Sequence, residues 1–208
     1  MLIVDDRIVI CGSSNINDRS QLGFHDSELS IVMEDTLPLQ SKMNGQSFTA
    51  GHHAATLRRM LWREHLGLLP AQPNDAGDDV NAQPPSDGDN DWFQGDEYDD
   101  LVADPLSDDL WKMWTDRATT NTEIFRHLFH ADPDDHIKTF EDYDHFVGAA
   151  GSRKAGHLYD PYQPVDHVRQ ELDKIKGHLV WMPLDFLCDA NMAEKGLQVN
   201  QLTESVYT

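Results

Sequence analysis

The chain has 208 residues, of which 39% are hydrophobic, and a formal net charge of −21 at pH 7. This length is sufficient for one self-supporting core, and no apolar run approaches the ~20 residues that a membrane-spanning helix requires. The strong negative charge argues against nonspecific binding to nucleic acid or to an anionic membrane surface, because like charges repel at long range.

Cysteine usage and the N-terminus indicate the compartment. The two cysteines, Cys11 and Cys188, are too few for a disulfide framework, and both lie in apolar runs. We therefore predict buried free thiols in a reducing compartment. The first apolar run begins almost at Met1 with no signal-peptide pattern before it, so we expect a cytosolic protein.

The first 35 residues contain three short apolar runs. Residues 2–4 and 8–11 are rich in β-branched side chains, which is the pattern of strands buried on both faces. The Asp5-Asp6-Arg7 sequence between them predicts a tight turn, and therefore a buried hairpin. A third strand is predicted over residues 29–33.

Polar residues cluster where the second run ends. Gly12 frees the backbone, two hydroxyls and the amide of Asn15 follow, and the N–H groups of such a loop can converge on an anion. Glu28 precedes the third strand. On these residues alone, a phosphate-binding corner and an ordinary polar turn at the end of a strand both stay open.

The same residues resemble the second catalytic motif of the phospholipase D superfamily, HxKxxxxDxxxxxxGSxN. Asp5 matches the Asp, while Gly12, Ser13 and Asn15 match GSxN at the same spacing. The segments INDRSQLG and DSELSIVMEDT resemble eukaryotic phospholipases D, with the fungal enzymes as the expected group. Glu28 matches the Glu that hydrogen-bonds the catalytic His in that family.

The chain departs from this pattern in two places. Counting back from Asp5, the Lys of the motif would lie immediately before Met1 and the His two residues earlier, so the printed chain contains neither. In addition, Phe24 and His25 stand where the family usually carries a polar residue and an Arg. The chain by itself is therefore expected to be inactive.

The middle of the chain predicts a helix and a disordered insert. After a loop containing Gly45, residues 50–69 place Leu57, Leu61 and Leu66 at helical spacing with arginines on other faces, so we expect an amphipathic helix that covers the sheet. Residues 71–104 hold eleven acidic residues and no basic one. Such a segment buries too little apolar surface to order itself.

The last hundred residues predict further helices and one strand. The expected elements are two helices or one interrupted helix over residues 106–131, a short helix within 135–147, a loop over 148–164, a helix over 168–175, a strand over 178–183 and a helix over 183–196. Together with the opening strands, they predict an α/β fold.

The resemblance implies how these elements are organised. It implies the C-terminal half of a two-lobed, layered α/β/α fold, in which residues 1–70 form the second-motif core. Residues 71–104 are then the acidic disordered insert, and residues 105–208 form an extension that packs on the core.

The resemblance also implies a reaction. Phospholipases D hydrolyse phosphatidylcholine to phosphatidic acid and choline, or transfer the phosphatidyl group to an alcohol, through a phosphohistidine. No cofactor or metal is required by that scheme. Gly12, Ser13 and Asn15 would bind the phosphate, Glu28 would orient the absent His, and Asp5 would support the site. The implied partners are the phospholipid and the N-terminal half of the same enzyme, which would act peripherally at membranes without a transmembrane segment.

Two other interpretations stay open. The chain could be a noncatalytic regulatory or interaction fragment, which the missing His and Lys favour. It could also be an acidic α/β binding protein with a fortuitous likeness. Similarity in the separate segments LRRMLWREHLG and GHLVWMPLDFL counts against the second alternative.

Overall fold

The computed structural model describes residues 1–69, 97–130, 134–147 and 158–191. In these ranges the strands are β1 (Leu2–Val4), β2 (Ile8–Gly12), β3 (Ser30–Glu34), β4 (Pro38–Met43) and β5 (Gln46–Gly51). The helices are α1 (Asp18–Gln21), α2 (His52–His65), α3 (Glu97–Ala103), α4 (Asp108–Phe129), α5 (Phe140–Val147) and α6 (Val165–Leu172). Mixed helices and small antiparallel sheets confirm the α/β class. Within the described ranges, no helix is long and apolar enough to cross a bilayer.

Contacts divide the chain into two compact units, each considered by itself. The first comprises Met1–Cys11, Ile31–Asn121 and Ile175–Leu179, and the second comprises Gly12–Ser30, Thr122–Lys174 and Val180–Thr208. The three-part organisation expected from the resemblance stays a prediction.

The first unit begins with the expected hairpin. β1 pairs antiparallel with β2, with Val4 opposite Ile8, and the order in the sheet is β1-β2-β3. Asp5 and Asp6 both have φ of 50°, the left-handed conformation that the turn requires and that Asp tolerates better than most side chains. The predicted strands and tight turn are thus confirmed.

The expectation that residues 2–4 and 8–11 form strands buried on both faces is wrong, because Leu2 and Cys11 are exposed, and the third strand is also open to solvent. Val9 is 1% exposed, but Leu2, Ile31 and Val32 are 57%, 58% and 65% exposed. Since neighbouring side chains of a strand point to opposite faces, the exposure of both Ile31 and Val32 leaves both faces of β3 open. The apolar pattern reports the character of a face, whereas burial depends on what packs against it.

A second hairpin occupies the region that was predicted to be a loop. β4 and β5 pair antiparallel from Pro38 opposite Gly51 to Met43 opposite Gln46. The turn between them is Asn44-Gly45, with φ of 53° and 72°. Asn-Gly is the preferred sequence for a two-residue hairpin turn, so this signal was present but overlooked.

The predicted helix at residues 50–69 is confirmed as α2. A residue outside the helix caps its first turn, because the carboxylate of Asp35 accepts a hydrogen bond from the backbone N–H of His53. The same carboxylate also accepts the N–H of Leu37. These two bonds lower the pKa of Asp35, so the helix start is capped by a charged carboxylate.

The arginines of α2, which were expected on faces other than that of the leucines, are buried. Arg58 lies with its side chain 6% exposed, and its Nε and Nη2 donate to the two carboxylate oxygens of Asp6 at 2.6 and 2.8 Å. The same guanidinium donates to the carbonyls of Val102 and Ala103 at 2.7 and 3.2 Å, and its Cζ lies 4.7 Å from the ring centroid of Trp62. These four hydrogen bonds make this burial of charge tolerable.

The end of the predicted acidic insert is ordered, which corrects that part of the prediction. Arg59 on α2 forms an ion pair with Asp99 of α3 at 2.9 Å. Asp104 accepts the backbone N–H groups of Asn44 and Gly45 in the hairpin turn at 2.9 and 2.6 Å. This acidic segment is ordered because a cation of α2 and backbone N–H groups of the hairpin turn bind its carboxylates. The remainder of the predicted insert, residues 71–96, lies outside the described residues.

The apolar core cluster of the first unit is small and mainly aliphatic, with two tryptophans at its edge. It is formed by three fully buried residues, Leu66, Val102 and Leu110, with Trp62, Leu68, Met113, Trp114 and Leu179 packed against them. Gly67 and Gly177 meet beside it, both with positive φ, and a methyl group on Gly177 would lie 1.9 Å from the carbonyl oxygen of His65. Only glycine permits that approach.

α4 is one continuous helix of 22 residues, so the predicted interruption within residues 106–131 is wrong. Asn121 is 1% exposed, and its amide donates to the carbonyls of Lys176 and Leu179 and accepts the N–H of Lys176. Because the side chain bonds to another segment, it does not compete for the backbone of its own helix.

The second unit contains α5 and α6, which confirm two predicted helices. α5 starts with a reciprocal cap, since the Thr139 hydroxyl accepts the Asp142 N–H at 3.1 Å and the Asp142 carboxylate accepts the Thr139 N–H at 2.9 Å. Arg126 pairs with Asp134 at 2.9 Å. Among the described residues of this unit, the buried apolar ones are Ile124, Leu128, Ile137 and Val168.

Three other expectations are corrected. Residues 178–183 form no strand, and residues 183–191 form turns instead of the start of a helix. Cys11 and Cys188 are free but exposed, so the predicted burial of both thiols is wrong. The rest of the predicted final helix, the end of the chain from residue 192, and residues 148–157 of the predicted loop lie outside the described residues.

Candidate functional site

Four of the five predicted site residues lie in one continuous segment of the second unit. These are Gly12, Ser13, Asn15 and Glu28, whereas Asp5 belongs to the first unit. Within residues 12–30 the loop after β2 and the residues before β3 are in direct contact, as the hydrogen bonds below show.

Gly12 allows this contact. A methyl group at this position would lie 2.2 Å from the Oγ of Ser30 and 2.5 Å from the carbonyl oxygen of Leu29. No side chain fits between backbones that close, so the glycine is required by the close approach of the two segments.

Ser13 is fully engaged with the segment that carries Glu28. Its N–H donates to the carbonyl of Leu29 at 3.0 Å, and its Oγ accepts the Leu29 N–H at 3.1 Å. Its hydroxyl proton is donated to Oε2 of Glu28 at 2.5 Å. In this arrangement Ser13 holds the carboxylate in place, and a phosphate would have to compete for the same donors.

Glu28 is held as an anion. Its pKa is lowered, first by the hydrogen bond from Ser13 and next by one from the hydroxyl of Ser20, with a small contribution from the charge of Arg19. Partial burial and the charge of Asp26 act in the opposite direction without reversing the shift. A carboxylate that is charged at neutral pH is suited to accept a hydrogen bond from an imidazole N–H.

The loop bearing Asn15 is fastened to the short helix α1. The Asn15 N–H donates to the Oγ of Ser20 at 3.1 Å, and Nε2 of Gln21 donates at 2.9 Å both to the Asn15 carbonyl and to the Oγ of Ser14. Asn17 caps α1 by accepting the Ser20 N–H at 3.0 Å. The backbone of Asn15 is thus anchored while the residue itself is exposed.

Ser20 and Gln21 were missed by sequence reasoning. The signal that could have found them is the Asn17-x-x-Ser20 spacing, which is that of an N-cap residue and the third residue of its helix. A helix start directly after the GSxN loop would have placed the next two polar side chains beside that loop.

The site departs from the expected pattern at residues 24 and 25. Phe24 is 77% exposed, and its ring centroid lies 4.4 Å from that of His25. A cation is nevertheless present in this segment, because Arg19 pairs with Asp26 at 2.5 Å and this contact raises the pKa of Arg19.

Asp5 lies apart from these contacts in the β1–β2 turn, where it is exposed. The buried carboxylate of that turn belongs to its neighbour Asp6, which is 3% exposed and paired with Arg58. A supporting role for Asp5 stays a prediction. Among the residues that the structure describes, no three His, Cys, Asp or Glu side chains are grouped so as to hold a metal ion.

Comparison with known proteins gives consistent matches. The family model for phospholipase D matches residues 1–84. Phospholipase D zeta 1 of Arabidopsis thaliana is 34% identical over 207 residues, which is 92% of this chain and 16% of that protein. Phospholipase D2 of Bos taurus is 34% identical over 194 residues, covering 91% of this chain and 17% of that protein. Phospholipase D B of Dictyostelium discoideum is 30% identical over 209 residues, covering 100% of this chain and 14% of that protein.

These matches extend well beyond the opening motif, although the chain spans less than a fifth of the length of the relatives. The relatives come from a plant, a mammal and Dictyostelium, so the fungal affinity stays a prediction. Together with the GSxN loop joined to Glu28, the matches show that the chain belongs to the phospholipase D superfamily.

Proposed function

We propose that this chain is the C-terminal part of a phospholipase D, which converts phosphatidylcholine and water to phosphatidic acid and choline through a phosphohistidine. The longer enzyme works peripherally at membranes, since its substrate lies there. The activity belongs to the whole enzyme, to which this chain contributes one side of the site.

The observation that carries the proposal is the contact between the GSxN loop and Glu28. Ser13 donates to the carboxylate at 2.5 Å, and the lowered pKa of Glu28 keeps it charged. A nucleophilic His needs a partner that fixes its ring and stabilises its positive charge, and a held carboxylate supplies both. This partner is present in the chain even though the His is not.

The other residues have assigned roles in the same scheme. Asn15 donates its side-chain amide to a phosphoryl oxygen, where negative charge builds up in the transition state. Gly12 lets the loop approach the segment before β3, and Asp5 supports the turn ahead of β2. Ser13 fixes Glu28 and binds the phosphate by exchanging one of its present hydrogen bonds for a phosphoryl oxygen.

The His and Lys come from the residues that precede this chain in the longer enzyme, and the other His and Lys come from its N-terminal half. The exposed apolar residues of the first sheet support a partner of this kind. Leu2, Ile31 and Val32 are all more than half exposed, which is costly for β-branched and leucine side chains unless another surface covers them.

The first experiment tests the phosphate contact. In a longer protein that contains this segment and the motif His and Lys, Asn15→Ala should lower turnover by about 10²–10³-fold, the usual loss for one oxyanion-type donor. Choline release from phosphatidylcholine is the measurement. Gln46→Ala, which removes an exposed amide on β5, serves as the matched control. Activity of the Asn15→Ala protein within a factor of two of wild type would show that the assigned role is wrong.

The second experiment compares the 208-residue chain with the longer protein. The chain as printed should release no choline, because loss of a nucleophile typically removes about 10⁶ of the rate where catalytic residues act as a unit. Activity in the chain that is lost with Asn15→Ala would overturn the scheme. Absence of activity in both proteins would favour the noncatalytic regulatory or interaction role.

A further inference from the structure

We propose that Gln21 is a positioning residue that sets the direction of the Asn15 side chain in the GSxN loop. Its predicted effect on catalysis rests on the proposed function, in which the amide of Asn15 binds a phosphoryl oxygen. The restraint on the backbone rests only on hydrogen bonds within residues 12–30, so it can be tested without any activity.

The side-chain amide of Gln21 bonds to two consecutive residues of the loop. Its Nε2 donates to the Oγ of Ser14 and to the carbonyl oxygen of Asn15, each at 2.9 Å. An amide NH2 group has two protons, so both bonds form together without competing. The orientation of the amide is also decided, because a carbonyl oxygen can only accept and Nε2 must therefore face Asn15.

Asn15 is held on both sides of its Cα atom. Its N–H, which belongs to the peptide plane shared with Ser14, donates to the Oγ of Ser20 at 3.1 Å. Its carbonyl, which belongs to the plane shared with Ile16, accepts from Gln21. A residue has only two soft backbone dihedrals, φ and ψ, and both are restricted when the two planes are fixed. The direction of the Cα–Cβ bond, and with it the reach of the side-chain amide, follows from these dihedrals.

Gln21 is itself fixed at its backbone. Its N–H donates to the carbonyl of Asn17 at 3.1 Å, and Oδ1 of Asn17 accepts the Ser20 N–H at 3.0 Å. Both side chains that hold Asn15 therefore start from a capped helix turn. Because Asn15 is exposed, packing restricts it little, and these hydrogen bonds supply the restraint.

The activity-independent test measures NMR order parameters of backbone N–H groups in the 208-residue chain. The Ile16 N–H lies in the peptide plane whose carbonyl Gln21 holds, so it reports that restraint directly. Its order parameter should be about 0.85, as in rigid backbone, and should fall below about 0.6 in Gln21→Met, which keeps the length of the side chain but removes both donors. The isosteric Gln21→Glu should lower it as well, because a carboxylate cannot donate to a carbonyl.

Gln40→Met is the matched control, because it makes the same change at an exposed position of β4 in the first unit. It should leave the Ile16 order parameter unchanged. Loss of order in Gln21→Met but not in Gln21→Glu would assign the restraint to packing instead of hydrogen bonding, and would refute the proposal. An unchanged order parameter in both Gln21 variants would refute it too.

The activity test uses the longer protein and choline release from phosphatidylcholine. Gln21→Glu should lower kcat about tenfold with little change in KM, since a misplaced donor weakens stabilisation of the transition state more than binding of the substrate. In an Asn15→Ala background the same change should have no further effect, because a residue that acts through Asn15 then has no amide to position.

Two results would overturn the positioning role. One is a kcat of Gln21→Glu within about twofold of wild type, and the other is an equal loss of kcat in the wild-type and Asn15→Ala backgrounds. If the wild-type protein releases no choline, the proposed function fails, and the Ile16 order parameter alone decides whether Gln21 holds Asn15.

Discussion

Removal of the buried guanidinium of Arg58 should destabilise the first unit severely. Its side chain is 6% exposed, and that of its partner Asp6 is 3% exposed. Arg58→Met keeps the length and apolar stem of the side chain but removes four hydrogen bonds, two to the Asp6 carboxylate and two to the carbonyls of Val102 and Ala103. Asp6 is then left as a buried charge without its cation.

The expected loss is about 3–5 kcal/mol, the usual result of removing one partner of a buried ion pair. That is a large part of the ~5–15 kcal/mol that stabilises a typical domain. With an m value of about 2–3 kcal/mol/M for urea, the midpoint of unfolding should fall by about 1–2.5 M. The double variant Arg58→Met/Asp6→Asn also neutralises Asp6. It should recover at least about 1 kcal/mol of the lost free energy of unfolding, because the uncompensated charge is gone.

Urea unfolding followed by tryptophan fluorescence measures this loss directly, since Trp62 lies against Arg58. Lys112→Met is the matched control, because it removes a cation from an exposed ion pair with Asp116, whose side chains are 75% and 62% exposed. That control should change the free energy of unfolding by no more than about 0.5 kcal/mol. If Arg58→Met costs less than about 1 kcal/mol, or no more than the control, the ion pair does not hold the fold as argued.

Two further predictions concern the same unit. Gly177→Ala should lower the free energy of unfolding by more than about 2 kcal/mol because of the clash with the His65 carbonyl. Gly45→Ala is the control, because Gly45 has a similar φ but open space around it, and it should cost about 1 kcal/mol. Equal shifts of the two variants in thermal unfolding would contradict the steric argument. Burial raises the pKa of Asp104, but backbone N–H donors, including that of Asn44, outweigh burial and lower it, so its stabilising effect should be present above pH ~4 and disappear as the pH falls through the lowered value. Urea midpoints of wild type and Asp104→Asn should therefore differ at pH 6 and approach each other as the pH falls through the lowered pKa of Asp104, and a difference that does not shrink with falling pH would refute the assignment.

Local patterns predicted the elements that depend on local chemistry. The opening strands, the Asp5-Asp6 turn and α2 follow from β-branched runs and helical spacing. The expected strand at residues 178–183 failed because a strand also needs a neighbour. The N–H of Trp181 donates to the hydroxyl of Thr122 in α4 at 2.8 Å, and the Trp181 side chain remains 49% exposed.

Helical periodicity could not predict that charged side chains of α2 are buried. Arg58 and Arg59 were placed away from the packed face because arginine is usually exposed. Their partners, Asp6 and Asp99, are about fifty and forty residues distant in the chain. No pattern within one helix reveals a partner that far away.

The candidate site divides in the same manner. The GSxN loop and Glu28 were identified from motif spacing, and the structure brings Ser13 and Glu28 together. The hydroxyl of Ser20 was not identified, because its contact with the Asn15 N–H depends on how the loop and α1 fold together. The role of each of these residues in catalysis stays a prediction.

The attachment of α3 to α2 suggests a place where the protein can be lengthened. Two sets of contacts hold α3 against α2. They are the ion pair between Arg59 and Asp99 and the hydrogen bonds from Arg58 to the end of α3. Since the closure cost of a connection rises only with the logarithm of its length, doubling it costs about 0.6 kcal/mol. A fluorescent reporter domain inserted between α2 and α3 should therefore leave both helices docked.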